Sequence, residues 1–139
     1  MKIELIVTCS RMDYLPACLV GIDMQDHPDF SVLIISQNPD EETLKFVEEF
    51  CLNKHWDHTE MVGFDIESWI SISSADGVVF LGNDQRFISV DALTRIDKML
   101  EVYGSITGDV TALTVDEYFS QSKQPVSVPY ATFIHRYYK

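Results

Sequence analysis

Three short, almost unbroken apolar runs constrain this chain more than any other feature: Lys2 to Val7, Phe30 to Ile35 and Val78 to Leu81. Runs of this length, rich in Ile, Val and Leu and bounded by polar turns, suit strands buried on both faces. Between them, apolar residues recur at helical spacing. Leu15, Cys18, Leu19 and Ile22 follow Asp13, with Pro16 tolerable in a first turn. Glu41 to Leu52 gathers Leu44, Phe46, Val47 and Phe50 on one side, and Val90 to Val102 gathers Leu93, Ile96, Met99, Leu100 and Tyr103. Strand and helix in alternation predict an α/β fold, with helices packed on a mostly parallel sheet.

Other segments carry weaker patterns. Asn53 to Glu60 is polar and without period, and Met61 to Phe64 reads as a short strand. Ile66 to Ser74 reads as a helix with Trp69, Ile70 and Ser73 inward, closed by Ala75-Asp76-Gly77, where glycine suits a C-terminal cap. Strand-like stretches cover Ser105 to Leu113 and Tyr130 to Tyr138, around a polar loop from Ser120 to Pro129. A length of 139 residues favours one domain, and no repeat or linker divides it.

Composition removes several function classes. Hydrophobic content of 46% argues against disorder. No apolar run approaches the ~20 residues that span a bilayer. The start of the chain is too short and too acidic for a signal peptide. Three cysteines without a C-x-x-C spacing argue against a disulfide framework or a cysteine zinc site, and a cytoplasmic setting fits best. Cys18 and Cys51 read as packing residues. The net charge of −12 repels nucleic-acid phosphates. It suits a cation-dependent site or a basic protein partner, though a solvated acidic surface is the simplest reading.

Ligands of open parallel sheets bind beyond the carboxyl ends of the strands. That rule selects three loops: Thr8 to Arg11, Ser36 to Asp40 and Gly82 to Gln85. Asp84 follows a strand and can face a ligand or metal, or cap the next helix. Arg11 can meet a phosphate or pair with Asp13 or Glu4. Gly82 permits a tight turn or a close ligand approach. No phosphate-loop, dinucleotide or nucleophile-elbow motif is present. His55 and His58, beside Asp57, share a face if one helical turn joins them and then invite a metal reading, whereas a polar loop is the plainer account. Cys9 ends a strand, but sequence places no histidine beside it. Trp69 reads as a core anchor rather than a stacking platform. Asp116 and Glu117 are the late candidates for a general base, or for a helix start.

Several segments in order resemble the family 2 glycosyltransferases and their GT-A relatives. They are Ile6-Val7-Thr8-Cys9-Ser10-Arg11-Met12-Asp13-Tyr14-Leu15, Gln25-Asp26-His27-Pro28-Asp29-Phe30, Pro39-Asp40-Glu41-Glu42-Thr43-Leu44 and Ala75-Asp76-Gly77-Val78-Val79-Phe80-Leu81-Gly82-Asn83-Asp84. Phe133-Ile134-His135-Arg136 faintly echoes a later family strand. The resemblance covers roughly Met1 to Leu100. It implies a Rossmann-like GT-A fold, a mostly parallel central sheet with helices on both faces, truncated at the C-terminus, with 1–103 as the nucleotide-binding half and 104–139 as a remnant of the acceptor half.

The resemblance also implies a nucleotide-sugar donor site lined by Thr8, Arg11, Ser36 and Asp84. A Mg²⁺ or Mn²⁺ ion would be partly held by Asp84, with His135 as a further candidate ligand. The acceptor is unknown, and a homo-oligomer or protein partner is open. This sequence departs from the family at Gly82, where the first acid of Asp-x-Asp stands, and at Ser36, where an Asp often contacts the base. It departs again at Glu67-Ser68-Trp69, near the family's Ala-Arg-Asn. These departures set a second expectation beside the first: a degenerate GT-A domain acting as an acidic protein-binding or inhibitory module.

Overall fold

In the computed structural model, the residues described are 2–61, 63, 73–83, 85–87, 89–103, 105–107 and 133–136, with side chains up to Glu101. In chain order the elements are β1 (Ile3–Cys9), α1 (Leu15–Asp23), β2 (Phe30–Ser36), α2 (Glu41–Lys54), β3 (Asp57–Glu60), β4 (Gly77–Gly82), α3 (Ala92–Tyr103), β5 (Ser105–Thr107) and β6 (Phe133–Arg136). They form one sheet in the order β3-β2-β1-β4-β6-β5. The first four strands are mutually parallel. β6 runs antiparallel to both β4 and β5. This is the α/β, mostly parallel architecture that the apolar runs predict.

Alternation along β1 divides the core. Ile3, Leu5, Val7 and Cys9 join residues of all three helices in the larger cluster, including Leu15, Leu19, Val47, Leu93 and Leu100. Ile6 faces the other way, with Ile35, Val78 and Phe80. Ile6, Ile35 and Val78 are fully buried there, so the central strands are shielded from water on both faces. Such strands need no polar face, which is why they read as continuous apolar runs.

Each helix end has a local cause. In α1, Pro16 lies in the first turn, where a missing N–H costs nothing. In α2, the Asp40 carboxylate accepts from the Thr43 N–H at 2.7 Å. Glu41 and Glu42 sit at the positive end of that helix and Lys54 at the negative end. His55 closes α2 in the left-handed region, at φ 59°. Before β2, three consecutive residues dock α3. The Gln25 amide donates to the carbonyls of Gly21 and Ser89 and accepts from the Leu93 N–H. Asp26 accepts from the Thr94 hydroxyl. His27 reaches Asp97 at 2.7 Å, while its Nδ1 accepts from the Asp29 N–H. That acceptor role puts the ring proton on Nε2, where it is donated to Asp97.

Several boundaries differ from the sequence reading. The third strand is Asp57–Glu60, inside the polar stretch; of the expected strand Met61 to Phe64, Met61 and Gly63 are not in a strand, and residues 62 and 64 lie outside the described residues. β3 pairs with β2 alone, and an edge strand satisfies its backbone without an apolar run. Gly77 is the first residue of β4, in register with Ile3, rather than a helix cap. Met99 is 41% exposed and lies off the buried side of α3. Residues 66–72 of the expected helix, and Trp69 with them, lie outside the described residues. So do Asp116 and Glu117. Among the described residues no helix is long and apolar enough to cross a membrane.

Candidate functional site

The strand order fixes where a ligand can enter. From β1 the chain moves outward to β2 and β3, then returns to the other side of β1 as β4. The strand order therefore reverses at β1, and the carboxyl ends of β1 and β4 form the switch point at which open α/β sheets bind ligands. Thr8 is in register with Gly82, so the loops that start at Thr8 and at Gly82 leave the sheet side by side. The Asn83 side-chain amide donates to the Arg11 carbonyl at 2.9 Å and ties those loops together. Asp84, next in sequence, lies outside the described residues.

The turn after β4 is closed on itself. Gln85 donates its N–H to the Gly82 carbonyl at 3.0 Å. Its side-chain oxygen accepts from the Gly82 N–H at 2.8 Å. The Cys18 thiol also approaches the Gly82 carbonyl, at 3.8 Å. Where the resemblance implies a first metal-binding acid, this chain has a glycine whose backbone polar groups are already satisfied. Among the described residues no group of three His, Cys, Asp or Glu side chains can hold a metal ion. The described residues alone supply no site for a divalent cation, and Asp84, the ligand that the resemblance implies, lies outside them.

The other candidates fall into place unevenly. Arg11 is exposed and stands 3.9 Å from Asp13, also exposed, which makes a weak surface pair and leaves the guanidinium in water. Thr8 and Ser36 both lie at the rim. Alternation sends their side chains to opposite faces, because Thr8 is level with Ile35 and Cys9 is level with Ser36. His135 is in register with Val78, four residues before Gly82 in β4. That places its backbone about 13 Å along the strand from the rim, towards the opposite end of the sheet.

Ser36 has partners that sequence did not supply. It ends β2 and is fully buried. Its hydroxyl lies 2.8 Å from His58 Nε2 and 3.6 Å from Cys9 Sγ. Burial pushes the Cys9 thiol above its ordinary pKa, and the Ser36 contact only partly opposes this. Cys9 is therefore a protonated thiol rather than an activated nucleophile. His58 belongs to β3, level with Ile34, while His55 is an exposed helix cap. The H-x-x-H pair is thus split between two elements, and the metal reading based on one helical turn does not hold. The signal that could have found His58 is Trp56-Asp57-His58-Thr59 directly after a helix, where a return to the sheet needs a strand.

The sequence matches no protein-family model and none of the curated proteins. Solved structures do match. S. aureus TarS 1-349 in complex with UDP superposes with a TM-score of 0.67 at 16% identity, over 83% of this chain and 37% of that one. The mannosyltransferase PcManGT from Pyrobaculum calidifontis, in complex with GDP-Man and Mn²⁺, gives 0.61 at 15% identity, over 86% and 38%. A putative glucose-1-phosphate thymidylyltransferase from Bacillus anthracis gives 0.53 at 12% identity, over 96% and 71%. This chain spans less than two-fifths of the TarS and PcManGT chains. The strand order, the parallel register and these superpositions together show that the chain has the GT-A fold of nucleotide-sugar transferases.

Proposed function

We propose that this domain binds a nucleoside diphosphate-sugar at the carboxyl rim of its sheet and serves sugar transfer to an acceptor. The observation that carries the reading is the switch point: the Thr8–Arg11 and Gly82–Gln85 loops stand side by side there, tied by Asn83. The likeness to proteins solved with UDP and with GDP-Man supports it. In this reading Thr8, Arg11, Ser36 and Asp84 line the donor site. Arg11 meets the diphosphate, since an unburied guanidinium keeps its donors available for phosphate oxygens. Ser36 acts from below, through His58. Any metal would rest on Asp84 and on groups outside the described residues.

The test is a thermal-shift series with UDP, GDP, UDP-GlcNAc and GDP-mannose, in Mn²⁺ and in chelator. A ligand at ~100 times its Kd adds about 2.7 kcal/mol to stability. The expected result is a clear rise in Tm with a nucleoside diphosphate, reduced by Arg11→Ala. No rise with any of them contradicts the proposal.

A second reading is favoured by one observation, the self-satisfied glycine turn where an acid is needed. In it the domain is an acidic protein-binding module, and its net charge of −12 steers a basic partner. That reading requires salt-sensitive association with a protein and no nucleotide shift.

A further inference from the structure

Ser36 is fully buried, so a ligand at the rim of β2 does not meet the serine. It meets His58, whose half-buried ring lies over the serine from the neighbouring strand. The hydrogens of the Cys9–Ser36–His58 chain have one arrangement that uses both buried donors, the thiol and the hydroxyl. Sulfur is a poor acceptor. The buried Cys9 thiol therefore donates to Ser36 Oγ, and the Ser36 hydroxyl donates to His58 Nε2. In the reverse arrangement the serine proton is spent on sulfur, and the thiol proton has no acceptor among the described residues. With Nε2 accepting, a neutral ring carries its proton on Nδ1. Nε2 points inward to a buried hydroxyl, so Nδ1–H is on the outward side of the ring. Among the described residues it has no hydrogen-bond partner.

We propose that His58, fixed by Ser36 with its proton on Nδ1, is a specificity-determining residue that donates a hydrogen bond to a nucleobase carbonyl. This rests on the nucleotide-binding reading, in which the base lies beside Ser36 on the β2–β3 side of the rim. The spacing allows it: β4 and β3 are three strand intervals of about 4.8 Å apart, about 14 Å in all. An extended nucleoside diphosphate with its phosphates at the β1–β4 crevice covers a comparable span. A fixed N–H donor that meets the base at its C4 or C6 substituent accepts uracil or guanine, which present an oxygen at that position. It opposes cytosine and adenine, which present an amino group there. Two donors face to face leave one unsatisfied, which costs more than a missing bond.

The experiment is calorimetric titration of the whole chain with UDP, GDP, CDP and ADP. His58→Phe, which keeps a ring without a donor, and His58→Asn, which keeps an amide N–H near Nδ1, are titrated beside it. The expected parent preference for UDP and GDP is about tenfold or more. His58→Phe should bring the four ligands within about twofold of one another, and His58→Asn should retain a preference. In the free protein, ring ¹⁵N spectra should show the His58 proton on Nδ1. A preference that survives in His58→Phe, or a proton found on Nε2, overturns the assignment. Equal binding of all four by the parent overturns it while leaving the nucleotide reading intact. Binding of none removes both.

Discussion

At the residue scale, two shifted groups have readable consequences. The Asp40 carboxyl lies below its ordinary value of 3.8, first because of its side-chain hydrogen bond from Thr43. A depressed carboxylate contributes stability above its unfolded pKa and loses it as pH falls through the folded value. Asparagine also caps helices but does not titrate. Asp40→Asn should therefore show a shallower loss of stability below pH ~4 than the parent, measured by urea unfolding against pH. Cys51 goes the other way. Burial first, then the neighbouring Cys9 and Asp57, push its thiol from 9.0 up to about 11. A raised pKa stabilises the fold below the unfolded value, and that stabilisation is lost as pH rises through the folded one. Over the window from 9.0 to about 11, Cys51→Ala should lose less stability than the parent. An identical slope for both proteins would show that Cys51 ionises freely in the native state.

At the element scale, one of the three side chains that dock α3 makes three contacts to backbone groups. Gln25 is buried and uses both ends of its amide to bind Gly21, Ser89 and Leu93. Gln25→Ala leaves those backbone groups without partners and should cost about 2 kcal/mol in denaturant unfolding. Asp26→Ala, which removes an exposed contact to Thr94, should stay within about 0.5 kcal/mol. Gly21 is the second sensitive point. A Cβ there would stand 3.1 Å from the Phe87 carbonyl, so the 85–87 segment lies directly on α1. Gly21→Val should cost about 1–3 kcal/mol by overpacking. Equal stabilities for these variants would contradict the packing described.

The elements legible in sequence were those whose own residues carry the burial. Val78 to Leu81 and Phe30 to Ile35 announced themselves because both of their faces are dry. Asp57-His58-Thr59-Glu60 did not, because its strand state is imposed by pairing with β2 rather than by its own apolar content. The same reason hid the contact between Ser36 and His58. They are 22 residues apart, on elements of which only one was visible. Thr8, Arg11 and Ser36 were legible as rim residues from the strand-end rule alone. That Thr8 and Ser36 face opposite ways was already implicit in the two-residue period, which brings their neighbours Cys9 and His58 into view.

At the scale of the whole molecule, the strand order decides where the chemistry can be. A single reversal of direction, between β3 and β4, sets the loops after β1 and β4 side by side at the carboxyl rim. Structures of unlike reaction match this fold, a mannosyltransferase and a putative thymidylyltransferase among them, so the fold alone does not choose the reaction. The acidic surface, with 22 Asp and Glu against 10 Lys and Arg, opposes a diphosphate everywhere except where cationic or N–H donors are concentrated. Binding of an anionic nucleotide must therefore be local. The most direct measurement is amide chemical-shift mapping by NMR as UDP or GDP is added. The largest shifts are expected on Thr8 to Arg11, Ser36, His58 and Gly82 to Gln85, with Gln25 to Asp29 unchanged at the opposite rim. Shifts centred on Gln25 to Asp29, or none at millimolar nucleotide, would contradict binding at the carboxyl rim.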